Sequence, residues 1–557
     1  MRKYKANTIT PPDDVQAQAA EWHAHHKPTQ LQPGQETLYV ALIEELVAAR
    51  PLTGKRYGRT MQKYTRQGLP WLSKSDLINI YEQLCDADWL DYDPDIVTHL
   101  QKKPIRSQAG VTVVTALTKP YPCPGECIFC PTDVRMPKSY LHDEPGAQRA
   151  ERYAFDPYEQ TAARIQALEQ IGHPAEKIEL LILGGTWSSY RRDYQEWFVK
   201  RCLDAMNGED SANLEEAQTK NATGPRRNVG LVVETRQDHI TPDELRWLRY
   251  LGVTKVQVGI QSMDDHVLAL NQRGHDAQAT RDGFRLLRLA GFKIHGHWMA
   301  NLLGATPESD REDFARLWSD TAVRPDELKI YPCILVENAE LYHYWQRGEY
   351  QPYNEETLTN LLVECLIQVP RYVRVNRVIR DFPTTNVVAG NKKTNLRQIA
   401  TQQAEKQGLK LQDIRYREIR RQKVNREELQ LRLTTYETDI TTEHFLSFET
   451  ADKRLAGFLR LSFPHPEQEL PLPELADHAM IREVHVYGPA LNLGKDSSGE
   501  AQHMGLGSEL IEKAKEMAQT AGFSHIAVIS AIGTQEYYRQ YHGFVRDGLY
   551  MTAMLPE

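Results

Sequence analysis

Three cysteines in the first half of the chain have the spacing of ligands for an iron–sulfur cluster. Cys123, Cys127 and Cys130 follow the pattern C-x3-C-x2-C. Cysteine thiolates are the ordinary ligands of such clusters, and three of them this close together can bind three irons of a 4Fe-4S cube. No fourth cysteine lies nearby. The fourth iron would therefore keep an open position for another ligand.

Three other interpretations of these cysteines are weaker. A structural zinc ion would need a fourth ligand, and no cysteine or histidine follows until His142. A disulfide is disfavoured because no apolar run follows the basic amino terminus, as a secretion signal would require. Buried structural cysteines are common but rarely have this spacing. The total of seven cysteines fits a reducing cytosol, so we expect a cytoplasmic protein. No stretch approaches the roughly 18 apolar residues of a membrane span.

The charge of the chain is unevenly distributed. The net charge of −8 by itself argues against a nucleic-acid partner. From Arg50 to Lys74, however, there are seven basic residues and no acidic one, with Tyr57, Tyr64 and Trp71 among them. Basic residues neutralise phosphates, and aromatic rings stack on bases. This stretch, which we call the first basic cluster, is therefore a candidate surface for nucleic acid.

Two further basic clusters lie in the second half of the chain. The second runs from Arg371 to Arg397 with only Asp381 against its seven cations, and the third runs from Arg415 to Arg426. Each cluster alone is more simply read as a solvated surface. Three of them in an acidic protein make an anionic polymer a plausible partner.

The elements around the cysteines predict a partial barrel. Residues 1–100 have mainly helical spacing of apolar residues, whereas short apolar runs alternate with amphipathic stretches further on. The runs are residues 111–117, 178–183, 229–234, 255–260, 293–298 and 327–331. Strand–helix repetition predicts a parallel sheet covered by helices, and six units are too few for a closed eight-stranded barrel. Chemistry in such folds lies at the carboxyl ends of the strands, and the cysteines follow the first strand.

Other strand ends carry residues suited to a lined cavity. Gly184 and Gly185 follow the second strand, Glu234 ends the third and Gln261 follows the fourth. Glycines at such a turn let the backbone approach a ligand closely, although an ordinary strand-to-helix turn would also use them. We expect these four residues to bind a cofactor.

The last third of the chain has a different pattern. Residues 400–428 are polar and predict a connecting segment, after which strands are expected at 445–449, 457–463, 481–487 and 525–530. Gln502, Gly505 and Gly507 form a Q-x-x-G-x-G run that opens an amphipathic helix, where exposed N–H groups can cradle a phosphate. With the tyrosine-rich helix and the Gly543-Phe544 pair that follow, this is similar to a GNAT acetyltransferase domain, which binds coenzyme A.

Together the cysteines and the GNAT-like domain resemble the Elongator protein 3 family of radical S-adenosylmethionine (SAM) enzymes. The resemblance covers the chain from about residue 103 to residue 555. The matching segments are Lys103-Pro104-Ile105-Arg106, Phe155-Asp156-Pro157-Tyr158, Leu328-Lys329-Ile330-Tyr331-Pro332, residues 482–488 and residues 548–551. The family places a carboxymethyl group on carbon 5 of the wobble uridine, position 34, of tRNA. It implies a 4Fe-4S cluster, SAM, acetyl-CoA as co-substrate, an electron donor and the anticodon stem-loop as partner.

The resemblance also implies roles for particular residues. Cys123, Cys127 and Cys130 become the cluster ligands. Lys329, Tyr331 and Tyr538 become catalytic, although Lys329 could equally point outward from its strand. The acetyl-CoA contacts are Lys177, Glu483, Val484, His485, Val486, Leu506, Ser508 and Tyr538, together with the glycine-rich run. Lys177 would bridge the two domains, unless it is a plain surface lysine.

The resemblance predicts four regions and one departure from the family. We expect a helical tRNA-binding region at 1–100, a partial (β/α)6 radical SAM barrel at 101–399, a linker at 400–428 and a GNAT domain at 429–557. Many relatives carry zinc-binding cysteines in the linker, but residues 411–416 contain none here, so we expect no linker zinc. The tyrosine-rich run is also one residue longer than usual.

Two other functions are compatible with parts of this pattern. A protein lysine acetyltransferase would use Glu483 or His485 as a general base, but it gives the cysteines no catalytic role. A tRNA-binding scaffold with a degenerate site would need neither the cysteines nor the glycine-rich run. The sequence leaves the oligomeric state open.

Overall fold

The computed structural model describes residues 29–49, 52–100, 110–380, 382–420, 422, 424–488 and 505–556. Its first region is helical, as predicted, with α1 at Glu36–Ala48, α2 at Gly54–Thr65, α3 at Lys74–Asp86 and α4 at Pro94–Leu100. α3 begins with a capping box in which Ser73 and Asp76 satisfy each other's backbone N–H groups. Leu42, Tyr81 and Leu84 lie in a small separate core of these helices.

A parallel seven-stranded sheet forms the centre of the molecule, in the order β1-β2-β3-β4-β5-β6-β8. Its strands are β1 Thr112–Leu117, β2 Lys177–Leu183, β3 Arg227–Thr235, β4 Lys255–Gln261, β5 Lys293–Trp298, β6 Glu327–Ile330 and β8 Arg374–Arg377. The six predicted strands are confirmed. β8 was not predicted because its sequence, Arg-Val-Asn-Arg, lacks an apolar run. Between the described parts of β1 and β8 no pairing closes the sheet, so it is a half-barrel.

Helices cover the outside of this sheet. They are α5 Pro145–Arg152, α6 Pro157–Glu169, α7 Arg192–Asn207, α8 Leu214–Thr223, α9 Pro242–Leu251, α10 Asp265–Leu270, α11 Ala277–Leu289, α12 Pro307–Ser319, α13 Leu341–Gln346, α14 Glu355–Gln368 and α15 Leu396–Lys406. Asp156, Thr241 and Thr306 cap three of them, each followed by proline at the first helical position. A small ribbon pairs β7 Leu335–Val336 with β9 Val387–Ala389.

The carboxyl-terminal domain is a second seven-stranded sheet, in the order β10-β11-β12-β13-β14-β16-β15. Its strands are β10 Gln430–Glu437, β11 Thr441–Glu449, β12 Leu455–Pro464, β13 His478–Val486, β14 His525–Val528, β15 Val545–Asp547 and β16 Tyr550–Met554. Only the β13–β14 pair is parallel. The sheet carries α17 Leu506–Thr520 and α18 Gln535–His542. The predicted strands and both helices are confirmed, while Gln502 lies outside the described residues.

The segment predicted as a polar linker, residues 400–428, is packed rather than free. It contains the end of α15 and the short helix α16, Ile414–Arg417. Ile414 N–H donates to Val373 O at 2.9 Å, and Ile419 N–H donates to Leu455 O at 3.1 Å. Both isoleucines are buried. The segment therefore ties the half-barrel to the second sheet, because one isoleucine bonds to the residue before β8 and the other to β12.

A buried ion network fixes the second sheet against the amino ends of the barrel strands. Arg482 of β13 pairs with Asp326, which precedes β6, and with Glu443 of β11 at 2.8 Å. Arg482 also donates to Phe292 O at 2.9 Å, and all three charged side chains are almost fully buried. Separating the partners of such a network would leave an unpaired charge in a region of low dielectric constant, which is energetically costly. The network therefore holds the two domains in one relative orientation. No described helix is long and apolar enough to cross a membrane.

Candidate functional site

The three predicted cluster ligands line one open cleft after β1. The cleft has a volume of about 1060 Å³, and Cys123, Cys127 and Cys130 all face it. Cys130 N–H donates to Cys127 O at 3.1 Å, which forms a tight turn between two of them. Another thiol, that of Cys333, lines only the inner cavity described below. The cleft thus offers three thiols and no fourth, which fits a cluster with one open iron.

Cationic and backbone donors surround these sulfur atoms. Arg273 Nη1 lies 3.5 Å from Cys127 Sγ, and Gly125 N–H lies 3.4 Å from Cys123 Sγ. Hydrogen bonds to sulfur tune iron–sulfur clusters. Burial, with the adjacent Cys127, raises the pKa of the Cys130 thiol to about 12. A bound metal would have to deprotonate that thiol, as metals do for coordinating thiols. The described side chains of His, Cys, Asp and Glu form no group that could hold a single metal ion, whereas a cluster is larger than one ion.

A smaller cavity of about 140 Å³ adjoins the cleft at the carboxyl ends of the strands. The predicted residues Gly185, Glu234, Gln261 and Tyr331 line it together with the three cysteines. Gln261 has a φ of +65°. Its Oε1 is buried without a hydrogen-bond partner, as is Arg273 Nε. One unpaired acceptor and one unpaired donor suit the amino and carboxylate groups of a methionine moiety such as that of SAM.

Gly184 has a different position from its neighbour. It is not among the residues that line the inner cavity. Its φ is +144°, and a Cβ atom there would lie 1.7 Å from Thr118 Oγ1. Glycine is needed at this position so that the end of β2 can close against the residue that follows β1.

Polar side chains continue from the inner cavity into the barrel. Lys329 Nζ donates to Gln257 Oε1, which also lies 2.9 Å from His297 Nε2. His297 Nδ1 is 3.7 Å from Glu234 Oε1. Lys329 therefore points into the barrel, not outward. Sequence reasoning missed His297 and Gln257, although the alternation of polar and apolar residues in their strands was a usable signal.

Burial changes the proton affinity of this group. It lowers the pKa of Lys329 to about 8, with Arg377 acting in the same direction and Glu234 opposing. It raises the pKa of Glu234, against the effect of Lys329. It also raises the pKa of Tyr331 to about 12. Near neutral pH, Lys329 Nζ can therefore both give and take a proton.

A second cavity lies at the opposite, amino end of the same strands, between the half-barrel and the second sheet. It measures about 470 Å³ and contains four predicted acetyl-CoA residues, Glu483, Val484, His485 and Tyr538. Tyr538 is the tyrosine of its helix that faces this cavity: Tyr537 lies 3.3 Å from Ser508 Oγ, and Tyr541 is 70% exposed. The cavity also contains barrel residues that were not predicted, namely Lys255, Lys293, Glu179 and Glu327.

The predicted phosphate cradle opens α17 beside this cavity. Gly505 caps the helix with a φ of +70°, and Leu506 is its first residue. A Cβ atom on Gly507 would lie 3.4 Å from Tyr537 Oη and 3.7 Å from Val486 Cγ2, which are ordinary contacts. Backbone N–H groups at a helix start attract anions. The cradle and the cavity together suit a long anionic thioester such as acetyl-CoA.

Lys177 is placed at the domain contact but not in the lining of the cavity. It pairs in register with Arg227 at the start of β3. Gly533 approaches Arg227 so closely that a Cβ atom there would lie 2.5 Å from Arg227 Cβ. Burial lowers the pKa of Lys177. The structure thus excludes a fully exposed lysine and leaves Lys177 beside the second domain.

The basic clusters differ in what they do. The second cluster is largely engaged within the protein: Arg371 pairs with Glu449, Arg374 with Glu418, Arg380 with Glu144 and Arg397 with Asp413. It does not form one continuous exposed surface, because these arginines join the barrel to neighbouring segments.

The first cluster presents its cations on α2. Lys55, Arg56 and Arg59 are exposed, and Trp71 is 59% exposed. Tyr57 is turned inward, with its hydroxyl donating to Leu72 O at 2.6 Å. Arg50 lies outside the described residues. The first cluster therefore presents three exposed cations on α2 and one exposed indole, that of Trp71, to solvent.

Comparisons with known proteins show which family the chain is similar to. The Radical SAM superfamily model matches residues 121–317, and the Radical SAM C-terminal domain model matches residues 325–406. A Methanocaldococcus jannaschii protein named tRNA uridine(34) acetyltransferase is 40% identical over 83% of this chain and 87% of its own length. Elongator complex protein 3 of Danio rerio is 34% identical over 83% of this chain and 87% of its own length.

A solved structure is similar over most of the fold. It is an archaeal Elongator protein 3 from Methanocaldococcus infernus with an amino-terminal deletion. The TM-score is 0.70 at 36% identity, and the match covers 80% of this chain and 100% of that chain.

Proposed function

Because the chain belongs to the Elongator protein 3 family, we propose that it places a carboxymethyl group on carbon 5 of the wobble uridine, position 34, of tRNA. Acetyl-CoA supplies the two-carbon unit and SAM the radical. The observation that carries the proposal is that one half-barrel ends in the cysteine-lined cavity at the carboxyl side of its strands and in a second cavity, lined by Glu483, His485 and Tyr538, at the amino side.

The residues at the carboxyl ends of the strands have separate roles in this reaction. When bound, the cluster and SAM supply a carbon radical able to take a hydrogen atom from the acetyl methyl group. Gln261 Oε1 and Arg273 Nε hold the amino and carboxylate groups of SAM. Lys329 Nζ, poised by its pKa of about 8, gives or takes a proton at the base. Tyr331 completes the wall of the site.

The residues of the second cavity hold the thioester. The start of α17 binds the pyrophosphate through its N–H groups. Glu483, Val484, His485, Val486 and Tyr538 surround the acyl end. Lys177 approaches the coenzyme from the barrel side.

The partners follow from the same proposal. The exposed face of α2 binds the tRNA, with its anticodon stem-loop directed to the inner cavity. An electron donor reduces the cluster, and the reaction takes place in the cytoplasm. We infer no zinc in the 400–428 segment, because residues 411–416 contain no cysteine.

Anaerobic reconstitution tests the proposal directly. The protein should gain a cluster and cleave SAM, and tRNA should gain the mass of a carboxymethyl group only when acetyl-CoA and SAM are both present. Mass spectrometry of nuclease-digested tRNA measures the product. Modification that survives omission of SAM, or acetylation of a protein lysine instead of tRNA, would contradict it.

A further inference from the structure

The barrel has an unusually polar interior on three adjacent strands. Its inward side chains are Lys255 and Gln257 on β4, Lys293, His295 and His297 on β5, and Glu327 and Lys329 on β6. Barrels are ordinarily filled with valine, isoleucine and leucine. The amino end of this polar row forms one wall of the acetyl-CoA cavity.

One side chain of this row crosses to the other domain. Lys293 Nζ lies 2.5 Å from Glu483 Oε1 of β13 and 3.2 Å from Glu327 Oε1 of β6. Lys293 is 16% exposed, and Glu483 is 9% exposed. The ammonium group of Lys293 therefore lies between a barrel carboxylate and a carboxylate of the strand that is expected to bind acetyl-CoA.

Lys255 provides a contrast within the same cluster. Its side chain is more deeply buried, at 6% exposed, and it contacts Glu179 at 2.6 Å and Glu327 at 3.2 Å. Both of these carboxylates belong to the barrel, so Lys255 shares the charge environment of Lys293 without an ion pair to Glu483. The second partner of Glu483 is Arg460 Nε, at 2.9 Å, from its own sheet.

Glu483 is the carboxylate that an amine acceptor would need. Transfer of an acetyl group to an amine forms a C–N bond and breaks the C–S bond. The ammonium must first lose one proton to a base, and the nitrogen loses a second proton, which goes to the departing coenzyme A thiolate. A carboxylate beside the thioester can accept the first proton. In this structure the place beside Glu483 is already filled by a lysine of the barrel.

We propose that Lys293 is a built-in occupant of the acceptor-amine position, so that the cavity keeps the acetyl thioester away from outside amines. The inference rests on the proposed binding of acetyl-CoA in this cavity. Lys293 is a specificity-determining residue: it fills the place of a substrate lysine and, as an ammonium ion, has no lone pair with which to take the acetyl group itself. The acetyl group is then retained for chemistry at its methyl carbon.

The electrostatics agree with this geometry. Burial alone would lower the pKa of Lys293, but Glu483 and Glu327 raise it above the ordinary lysine value. Burial would raise the pKa of Glu483, but Lys293 and Arg460 lower it. Tyr538, His485 and Arg374 complete the wall around this pair. Both partners stay ionised, and the Glu483 carboxylate is engaged by Lys293 and Arg460 instead of accepting a proton from an incoming ammonium.

The test is a gain of activity, which damage to the fold would not produce. The reconstituted full-length protein is incubated with acetyl-CoA and ethylamine, without SAM or tRNA, and N-acetylethylamine is measured by mass spectrometry. Lys293→Ala opens a space beside Glu483 and should form the product at least about tenfold faster than the wild type, in proportion to ethylamine. Lys293→Met still fills the space. Lys200→Ala removes a lysine of similar exposure that is paired with Asp204 on α7, outside the cavity, so both variants should stay at the wild-type rate.

Calorimetry with acetyl-CoA shows which variants keep the cavity. A Lys293→Ala protein that binds acetyl-CoA and yet forms no more product than the wild type would overturn the inference, as would an equal gain in Lys200→Ala. The wild type provides a second measurement that does not depend on the variants folding. After prolonged incubation with acetyl-CoA, peptide mass spectrometry should find Lys293 unacetylated, and acetylated Lys293 would also overturn it.

The two proposals fail in distinguishable ways. A gain in Lys293→Ala together with a wild type that never modifies tRNA would leave the inference standing and reject the proposed function. A wild type that does not bind acetyl-CoA would reject both.

Discussion

Single residues decide the chemistry on the cysteine side of the barrel. The thiols of Cys123, Cys127 and Cys130 share one cleft, and Arg273 approaches the middle one at 3.5 Å. Deeper in the barrel, the buried Lys329 donates a hydrogen bond to Gln257, and the charge of Glu234 acts on its pKa. A single substitution can therefore remove a cluster ligand at Cys127 or the shifted pKa at Lys329.

Removing the middle thiol should abolish the cluster. Cys127→Ala leaves two ligands and no nearby replacement, so iron content and SAM cleavage should fall to background while the thermal unfolding of the second sheet is unchanged. Cys85→Ala, a thiol in the helical region, is the matched control and should keep both. A Cys127→Ala protein that cleaves SAM at the wild-type rate would rule out the cluster assignment.

Lys329 should give the protein a distinctive pH dependence of stability. Its pKa is about 8 when folded and 10.5 in its ordinary state, so between these values the unfolded chain binds more protons than the folded one. The free energy of unfolding therefore gains a contribution that rises with pH in this window and is least favourable below pH 8. Lys329→Met lacks it.

Thermal unfolding from pH 7 to pH 10 measures this effect. The melting temperature of Lys329→Met relative to the wild type should be highest at pH 7 and decline as the pH rises. Lys453→Met, at an exposed lysine, should show no such trend. A difference in melting temperature between Lys329→Met and the wild type that stays constant with pH would mean that folding does not shift the pKa of Lys329.

At the scale of elements, helix starts and helix faces carry the binding surfaces. α17 begins beside the acetyl-CoA cavity with Gly505 and Gly507, and α2 carries exposed cations at the other end of the chain. Both features are local, so variants on each helix can be tested without disturbing the other.

The start of α17 should bind the pyrophosphate of acetyl-CoA. Gly507→Glu places a negative side chain where N–H groups would meet an anion, and acetyl-CoA affinity should fall at least about tenfold. An acidic residue in the first turn of a helix is itself favourable, so folding should be kept. Gly507→Ala, whose Cβ meets only ordinary contacts, should bind nearly as the wild type. Calorimetry with equal affinities for all three proteins would exclude the cradle.

The cations of α2 should bind tRNA. Changing Lys55, Arg56 and Arg59 to Glu should weaken tRNA binding largely regardless of sequence and flatten its salt dependence, since each phosphate contact contributes about −0.9 to the slope of log K against log salt on duplexes. Acetyl-CoA affinity should not change. The control changes three exposed lysines, Lys406, Lys410 and Lys453, to Glu. Gel-shift titrations in which both triple variants behave alike would reduce α2 to an ordinary solvated surface.

The whole molecule depends on the buried network between the two sheets. Arg482 holds Asp326 and Glu443 together where the second sheet meets the amino ends of β5 and β6. Lys293 makes the neighbouring contact to Glu483. These ion pairs join the second sheet to the barrel beside the cavity proposed to bind acetyl-CoA, so we expect them to act on stability and on function together.

Breaking this network should be costly. Asp326→Ala leaves Arg482 buried with one carboxylate fewer, and the free energy of unfolding should fall by about 3–5 kcal/mol. Chemical denaturation monitored by circular dichroism measures it, with Asp547→Ala at an exposed site as control. A loss below about 1 kcal/mol would show that the network is not what holds the domains in register.

The sequence by itself determined the features that depend on local spacing. The cysteine triad, the six strands with apolar runs, the glycine-rich helix start and the helical first region were all predicted, because each is encoded within a few neighbouring residues. The same reasoning missed β8, and it predicted residues 400–428 as a connecting segment without showing how that segment packs, since short polar segments gain their order only from what they pack against.

Only the tertiary structure decided which charges are used internally. Arg371, Arg374 and Arg380 of the second basic cluster are paired with carboxylates 44 or more residues away in the chain, as Arg371 is with Glu449. The contact of Lys293 with Glu483 spans 190 residues. Such pairs follow from strand register and from the docking of two sheets, so no local pattern predicts them. The composition shows how many charged residues the chain has. The fold decides whether each of them is exposed to solvent, lies in a binding site or forms an ion pair within the protein.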